Sequence, residues 1–200
     1  MAWGPLDEPV QRIAQRRAAG IVAELLPLLD GNGQLLDLGC GIGHVGFAVA
    51  EATGRDVCYL DIRRYPCTHP KVALQLYDGR RIPYADDSFE SSMAIFMLHH
   101  TEDAEVTLCE LTRVTRRTLV VFEDVLPSHN MLLIQIFKDI LNNYFFEGPA
   151  LQHKTELEWE ELFTRLDLTM RKKIHFGKRT WINSEHVGWQ LDLPGHAAIY

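Results

Sequence analysis

The sequence has few of the features that mark specialised classes of protein. Its four cysteines, Cys40, Cys58, Cys67 and Cys109, form no C-x-x-C pair, which favours a reduced chain over a disulfide scaffold or a metal site. Positive charge is scarce as well, since 20 Lys and Arg stand against 27 Asp and Glu. This balance argues against a protein dedicated to nucleic acids or anionic membranes, because Lys and Arg supply most of the binding to phosphate.

Long apolar runs and targeting signals are also missing. The most apolar stretch, residues 131–146, is broken by polar and charged side chains and is too short to cross a bilayer. The first residues lack the basic segment and apolar run of a secretory signal. With 200 residues, 46% hydrophobic and 24% charged, we expect one soluble, cytoplasmic domain over residues 1–200.

Apolar periodicity predicts strands that alternate with helices. Apolar residues recur at three- and four-residue steps over residues 8–29, which indicates an amphipathic helix ahead of the core. Further helices are expected over 44–52 and 102–114, and strands over 34–38, 56–60, 72–77, 91–98 and 118–122. This alternation predicts a parallel sheet covered by helices on both faces.

The pattern changes after Pro127. The expected elements here are helices over 128–144 and 155–165, the second opened by a capping box, and strands over 168–176 and 193–200. Because no long crossover helix separates these two strands, we expect them to pair antiparallel at one edge of the sheet. The chain is therefore predicted to adopt a Rossmann-like, doubly wound α/β fold of seven strands, mostly parallel with an antiparallel last strand.

A glycine-rich loop after the first predicted strand carries the most information about function. It reads Asp37-Leu38-Gly39-Cys40-Gly41-Ile42-Gly43 and leads into a predicted helix. Glycines at such a place let the backbone turn tightly and approach a ligand closely. Residues 41–46 also show the G-x-G-x-x-G spacing of dinucleotide sites, which hold a pyrophosphate at a helix N-terminus. Asp37 would repel that anion and favours a ligand with a cationic amino-acid end.

A second acid, Asp61, ends the next predicted strand. A carboxylate there is placed to accept hydrogen bonds from a ribose diol. Adenosine joined to a cationic amino acid satisfies both Asp37 and Asp61, and a nicotinamide oxidoreductase is the weaker alternative.

The sequence resembles the class I S-adenosylmethionine-dependent methyltransferases, particularly their type 11 small-molecule group. The glycine loop matches the first motif of that family. Residues 78–90 resemble its acidic loop after strand three, residues 97–103 its segment after strand four, and residues 110–114 its approach to strand five. The N-P-P-Y sequence of amino-methyltransferases that act on DNA bases and glutamine is absent from the segment after strand four. The resemblance covers about residues 35–124.

The resemblance implies S-adenosyl-L-methionine as the cofactor and assigns a set of contacts to it. The cofactor-binding residues would be Asp37, Gly39, Cys40, Gly41, Gly43, Asp61, Ile62, Asp78, Gly79 and Met97. Asp37 would hold the amino-acid end and Asp61 the ribose, while Ile62 and Asp78 would contact the adenine. One departure is that only ten residues, two of them prolines, separate Asp61 from Val72, so the usual second crossover helix must be shortened or replaced by a loop.

The resemblance also implies a reaction. The chain would transfer a methyl group to an O, N, S or C atom of a small-molecule acceptor by in-line attack, with no metal. Candidate general bases are His99 and His100, weighed evenly against packing, and His153, for which packing is favoured. An RNA or protein methyltransferase and a non-catalytic cofactor-binding module stay open as alternatives.

Other charged and aromatic groups are assigned structural roles. The basic residues within 171–179 are interpreted as a solvated sheet edge rather than an RNA site. Glu123 and Asp124, at the end of strand five, are interpreted as helix caps or solvated acids, with a place facing the acceptor as the less favoured alternative. Trp159 and Phe163 are interpreted as core. The single domain would divide into a helical cap (1–33), a cofactor core (34–125), a helical lid (126–167) and a terminal hairpin (168–200).

Overall fold

A computed structural model of the chain describes residues 7–126, 152–177 and 185–195. The helices are α1 (Asp7–Leu25), α2 (His44–Thr53), α3 (Ala104–Val114) and α4 (Glu156–Arg165), with short 3-10 turns at Leu26–Leu28 and Leu98–His100. The strands are β1 (Leu35–Leu38), β2 (Val57–Asp61), β3 (Leu74–Leu76), β4 (Phe89–Ile95), β5 (Thr115–Val125), β6 (Thr169–Phe176) and β7 (Glu185–Asp192). Within these ranges, no helix combines the length and the apolar character needed to cross a membrane.

The seven strands form one sheet in the order β3-β2-β1-β4-β5-β7-β6. Strands β1 to β5 pair in parallel, and β7 runs antiparallel to both β5 and β6. The chain extends the sheet to one side of β1 and then returns to pair β4 on the other side. In open α/β sheets, such a switch point opens a crevice at the carboxyl ends of the strands, where ligands bind. The predicted doubly wound fold is confirmed.

Two apolar layers cover the faces of the sheet. On one face, Leu25 and Val49, from α1 and α2, pack with a buried cluster that includes Leu35 and Phe122. On the opposite face, α3 and α4 contribute Leu108, Leu111, Trp159, Leu162 and Phe163. Trp159 and Phe163 are fully buried, so their predicted place in the core is confirmed.

The helix ends follow from local capping chemistry. The Asp103 carboxylate accepts from the amide of Glu105 at 2.8 Å and opens α3. Thr155 and Glu158 form the reciprocal capping box predicted for α4, with the Glu158 carboxylate accepting from the Thr155 amide at 2.8 Å. The helix predicted over 128–144 lies outside the described residues.

The last strand that the structure describes lies earlier than predicted, and residues 196–200 of the predicted strand lie outside the described residues. The strand is β7, Glu185–Asp192, within the segment that the sequence suggested was a connection, and residues 193–195 follow it without strand structure. Its polar residues are buried with distant partners: Gln190 donates to Asp30 at 2.7 Å, and Asp192 accepts from Arg171 at 3.0 Å. Polar residues at these positions are typical of a connecting segment, because partners so distant along the chain leave no mark in the local pattern. The antiparallel pairing of the last two strands is confirmed.

The basic residues of β6 lie on the edge strand, as predicted. Arg171 pairs with Asp30 and with Asp192, and Lys172 donates to the Pro27 carbonyl at 3.3 Å. Lys173 reaches two acids of α4, Glu156 at 2.6 Å and Glu160 at 2.8 Å. These charges therefore tie the edge strand to its own protein, while Lys178 and Arg179 lie outside the described residues.

Candidate cofactor and acceptor site

The glycine loop between β1 and α2 has three residues in the left-handed region, with φ of +67° at Gly39, +56° at Gly41 and +77° at Gly43. A Cβ on Gly39 would lie 2.8 Å from Cβ of Met97, and one on Gly43 would lie 2.8 Å from the Val72 side chain. A Cβ on Gly41 would meet no atom within 4 Å. Two of the glycines are thus required by packing as well as by φ, whereas Gly41 borders open space that a ligand can fill.

Asp61, at the end of β2, lies directly against this loop. Its Oδ2 accepts from the amide of Gly41 at 2.7 Å, and its Oδ1 accepts from the amide of Arg63 at 3.2 Å. Burial raises the pKa of this carboxyl, and the two amides act in the opposite direction. The end of β2 and the turn of the glycine loop are therefore fixed to each other through one carboxylate.

Asp37 is buried on the face of β1 that α2 covers, with only 2% of its surface exposed. A Cβ on Gly46 would collide with Oδ2 of Asp37 and would lie 2.8 Å from the ring of Tyr59. Gly46 is the third glycine of the G-x-G-x-x-G pattern. Its role here is to let the helix pack closely on the strand, so the dinucleotide-like spacing does not by itself indicate a pyrophosphate site.

The electrostatics of Asp37 favour a cationic ligand group. Desolvation, with a further contribution from the nearby Asp61, raises the pKa of Asp37 to about 8, and the Gly46 amide partly opposes this. Within the described ranges, Oδ2 of Asp37 is buried and forms no hydrogen bond. A cation close by would favour the ionised carboxylate, and the unsatisfied oxygen fits the amino-acid end of S-adenosylmethionine.

The residues predicted to contact adenine come together at the ends of β2 and β3. Ile62 is 61% exposed, and a Cβ on Gly79 would approach its Cγ2 at 3.1 Å. Asp78 is exposed, and its Oδ1 accepts from the amides of Arg80 and Arg81 at 2.8 and 2.9 Å, which lowers its pKa. The exposed side chain of Ile62 thus lies close to Gly79, whose neighbour Asp78 presents an ionised carboxylate fixed by two amides.

No helix is present in the described connection between β2 and β3, residues 62–73, so of the two expected forms, a shortened helix or a loop, the structure shows the loop. The loop is seated on the glycine loop, because the amide of His69 donates to the carbonyl of Ile42 at 2.8 Å. The ring of His69 also stacks on Phe47 of α2, with centroids 4.0 Å apart. These contacts build one wall of the site without a helix.

Cysteine chemistry is not supported at this site. Burial, reinforced by Asp37 and Asp61, raises the pKa of the Cys40 thiol, so it stays protonated and unreactive. Its backbone amide donates to the Leu60 carbonyl at 3.2 Å and so joins the loop to β2. Among residues 7–126, 152–177 and 185–195, no group of three or more His, Cys, Asp or Glu is arranged to hold a metal ion.

His99 and His100 lie in the 3-10 turn that follows β4 and Met97. Nδ1 of His99 is hydrogen-bonded to Oε2 of Glu123, and Oε1 of Glu123 accepts from the amide of Leu98 at 2.7 Å. Glu123 is fully buried and its carboxylate caps this turn, so of the two expected roles, cap or solvated acid, the structure shows the cap. His99 is also buried, with 3% of its surface exposed.

The three histidines considered as bases lie near one another. The ring centroids of His99 and His100 are 4.1 Å apart, and those of His99 and His153 are 6.0 Å apart. The carbonyl of His99 accepts from the amide of Gln152 at 3.0 Å, which joins this turn to the segment before α4.

A further histidine, His186, was missed by the sequence reasoning. It opens β7 opposite Asp124 of β5, and its Nδ1 is hydrogen-bonded to Oδ1 of Asp124. Burial acts to raise the pKa of Asp124, but the contact with His186 and the charges of His99 and Arg17 lower it overall. The acidic pair at the end of β5 was visible in the sequence, whereas His186 lay in the supposed connection and gave no signal.

Comparisons with known proteins agree with this geometry. Residues 36–121 match the family model described as a methyltransferase domain. The methyltransferase GfsG of Streptomyces halstedii is 29% identical over 123 residues, which cover 56% of this chain and 42% of that protein. The 27-O-demethylrifamycin SV methyltransferase of Amycolatopsis mediterranei is 32% identical over 124 residues, covering 56% of this chain and 43% of that protein.

Solved structures share the fold across most of the chain. A SAM-dependent methyltransferase from Aquifex aeolicus superposes with a TM-score of 0.67 at 14% identity and covers 94% of this chain and 98% of that one. The chain spans less than half the length of the two curated relatives above. The sequence match over residues 36–121 is to a methyltransferase domain, and the structural likeness shows a shared fold over most of the chain.

Proposed function

We propose that the chain binds S-adenosyl-L-methionine and transfers its methyl group to a small-molecule acceptor (EC 2.1.1.-). The observation that carries the proposal is the open space over Gly41, whose amide is held by the carboxylate of Asp61. That carboxylate suits a ribose diol, and the buried oxygen of Asp37, which forms no hydrogen bond within the described ranges, suits a cationic amino-acid end.

The other predicted residues have matching places in this proposal. Asp37 holds the amino-acid end, the backbone of Gly39, Cys40, Gly41 and Gly43 packs along the methionine and sugar, and Asp61 holds the ribose hydroxyls. Ile62, Asp78 and Gly79 bind the adenine, and Met97 lines the methionine end. Residues 34–125 make up the cofactor core, with 1–33 as cap, 126–167 as lid and 168–200 as terminal hairpin.

The cofactor supplies a methyl carbon that is already activated by a sulfonium. The protein therefore contributes mainly position, alignment and exclusion of water, which can be worth about 7–11 kcal/mol. His99 and His100 stand at the methionine end of the site in this proposal. Because His99 is buried and bound to Glu123, its main contribution is to hold the turn that carries Met97.

A small-molecule acceptor is favoured over RNA for two reasons. Arg171, Lys172 and Lys173 of the edge strand are engaged by acids and a carbonyl of their own protein, so they do not form a free cationic patch. The relative from Amycolatopsis mediterranei is named for a small molecule, 27-O-demethylrifamycin SV.

The proposal is tested by comparing Gly41→Ala with Gly54→Ala. Both glycines have positive φ, +56° and +69°, and neither has an atom within 4 Å of an added Cβ. Alanine therefore brings similar backbone strain at each site, on the order of 1 kcal/mol. Only Gly41 faces the proposed ligand, so calorimetry should show affinity for S-adenosylmethionine at least tenfold weaker for Gly41→Ala and near wild type for Gly54→Ala.

Equal affinities of the two variants would contradict the proposed placement of the cofactor. Failure of the wild-type chain to bind S-adenosylmethionine would contradict the proposed function itself. Saturable binding of NAD in its place would favour an oxidoreductase.

A further inference from the structure

The pair formed by Asp124 and His186 lies at the carboxyl end of the parallel strands, where the ligand crevice of the fold opens. Asp124 is the penultimate residue of β5, and His186 is the second residue of the antiparallel β7, so both stand at this edge. Their side chains are partly exposed, 22% for Asp124 and 34% for His186. The pair can therefore meet a ligand in the crevice, unlike the buried pair of Glu123 and His99.

The geometry leaves one ring nitrogen of His186 available. Asp124 is bound to Nδ1, which favours the tautomer with its proton on Nδ1 and leaves the lone pair on Nε2. Within the described ranges, no residue forms a hydrogen bond with Nε2. A Cβ on Gly177, which has φ of +82°, would lie 2.8 Å from Cδ2 and 3.5 Å from Nε2 of His186. Among the described residues, the glycine at position 177 therefore keeps a side chain off this edge of the imidazole, which is 34% exposed.

Aromatic rings border the imidazole and lead to the cofactor loop. Phe96 meets His186 edge-on with centroids 5.1 Å apart, and the centroid of Phe176 lies 5.3 Å from that of His186. Phe96 is held in the left-handed region, with φ of +54°, and its amide donates to the Phe122 carbonyl at 2.8 Å. The next residue, Met97, packs against Gly39. A single strand end thus joins the apolar surroundings of His186 to the proposed methionine end of the cofactor.

We propose that His186, oriented by Asp124, is the general base for an acceptor that carries a hydroxyl group on an aromatic ring. This inference rests on the proposed function. The aromatic side chains match a flat apolar acceptor, and a phenolic hydroxyl is a weak nucleophile until it loses its proton. Serine hydrolases use the same arrangement, in which a carboxylate binds Nδ1 of a histidine and the other ring nitrogen takes the proton of a hydroxyl.

The proposed step couples a proton transfer to the methyl transfer. The hydroxyl proton moves to Nε2 of His186 while an oxygen lone pair forms the new O–C bond to the methyl carbon. The electron pair of the broken C–S bond goes to sulfur, so the products are the aryl methyl ether, S-adenosylhomocysteine and a protonated His186. His186 then returns its proton to water.

The first experiment compares His186→Gln with His175→Gln. His175 is on the neighbouring strand, β6, and also pairs with an acid, Glu156 at 3.0 Å, so it is a matched histidine outside the proposed site. Methyl transfer from labelled S-adenosylmethionine is measured with phenol, catechol and 4-nitrophenol. We expect His186→Gln to lower turnover of phenol and catechol about 10²–10⁴-fold. The loss with 4-nitrophenol should be much smaller, because about half of that acceptor is already ionised near neutral pH. His175→Gln should resemble wild type.

A second experiment does not depend on turnover. Wild-type protein loaded with S-adenosylhomocysteine should bind 4-nitrophenol and increase its phenolate absorbance, and His186→Gln should lose that increase while keeping its affinity for S-adenosylhomocysteine. Equal losses on all three acceptors, or no loss, would overturn the role of His186. The same conclusion follows if the loaded wild type neither binds nor methylates any of them. Absence of S-adenosylhomocysteine binding to the wild type would instead refute the proposed function.

Discussion

Replacing Asp37 with Asn is expected to weaken binding of S-adenosylmethionine about tenfold to a hundredfold and to stabilise the ligand-free protein. A hydrogen bond to a charged group contributes about 1.5–3 kcal/mol, and Asn cannot supply the charge. The stability gain arises because Asp37 is buried with a carboxylate oxygen that forms no hydrogen bond in the described structure. The native state favours its neutral form, and Asn is neutral at every pH.

The gain from Asp37→Asn should increase with pH. The pKa of Asp37 is about 8 in the folded protein against 3.8 for the unperturbed group, so folding takes up a proton between these values. The favourable contribution of this group is therefore complete below 3.8 and is lost as pH rises through about 8. Urea unfolding of wild type and variant at pH 5 and pH 8 measures this difference, which should be on the order of 2 kcal/mol larger at the higher pH.

Asp56→Asn is the control for this substitution. Asp56 is exposed and precedes β2, at the amino end of the parallel strands and away from the proposed cofactor site. Its carboxylate accepts a hydrogen bond from the Gln34 side chain at 2.8 Å. We expect Asp56→Asn to leave the affinity for S-adenosylmethionine near that of wild type. A variant Asp37→Asn that binds like wild type, or that is less stable at pH 8 than at pH 5 relative to wild type, would contradict the role given to Asp37.

Replacing Glu123 with Ala should destabilise the fold by about 3 kcal/mol. The side chain is fully buried and satisfies both the amide of Leu98 and Nδ1 of His99, so its removal leaves two buried polar groups without their acceptor. Glu123→Gln keeps an oxygen for Leu98 and should cost less. Urea unfolding of the three proteins gives the ranking.

An exposed ion pair provides the comparison for Glu123→Ala. Glu105 meets Arg165 at 3.2 Å, with both side chains about half exposed, and Glu105→Ala should change the unfolding free energy by less than about 1 kcal/mol. Losses of similar size for Glu105→Ala and Glu123→Ala would show that the buried acid is not needed to hold the turn after β4.

The cofactor side of the site could be predicted because its determinants are local. Asp37 and the glycines are contiguous, and Asp61 ends the next strand of a parallel sheet. In such a sheet, neighbouring strand ends meet at one edge, so sequence order alone brings these residues together. The replacement of a helix by a loop between β2 and β3 likewise followed from length and prolines.

The acceptor side could not be predicted in the same way, because its residues meet only through long-range pairing. His186 contacts Asp124 only because β7 is inserted between β5 and β6 in the sheet. Strand β7 could not be recognised from the sequence because it contains the polar residues Gln190 and Asp192. Their partners, Asp30 and Arg171, lie 160 and 21 positions away. Local periodicity contains no information about such partners.

Because Glu123 and Asp124 are adjacent on β5, the two histidine pairs that they form both depend on the register of that strand. Successive side chains of a strand point to opposite faces, so the first acid reaches His99 and the second reaches His186. Insertion or deletion of one residue in β5 would turn each acid to the wrong face and break both histidine pairs together. Backbone pairing with β4 and β7 would still be available to the shifted strand. The two imidazoles therefore act as reporters of strand register, and their NMR chemical shifts would distinguish a correctly aligned sheet from one that has slipped by a single residue.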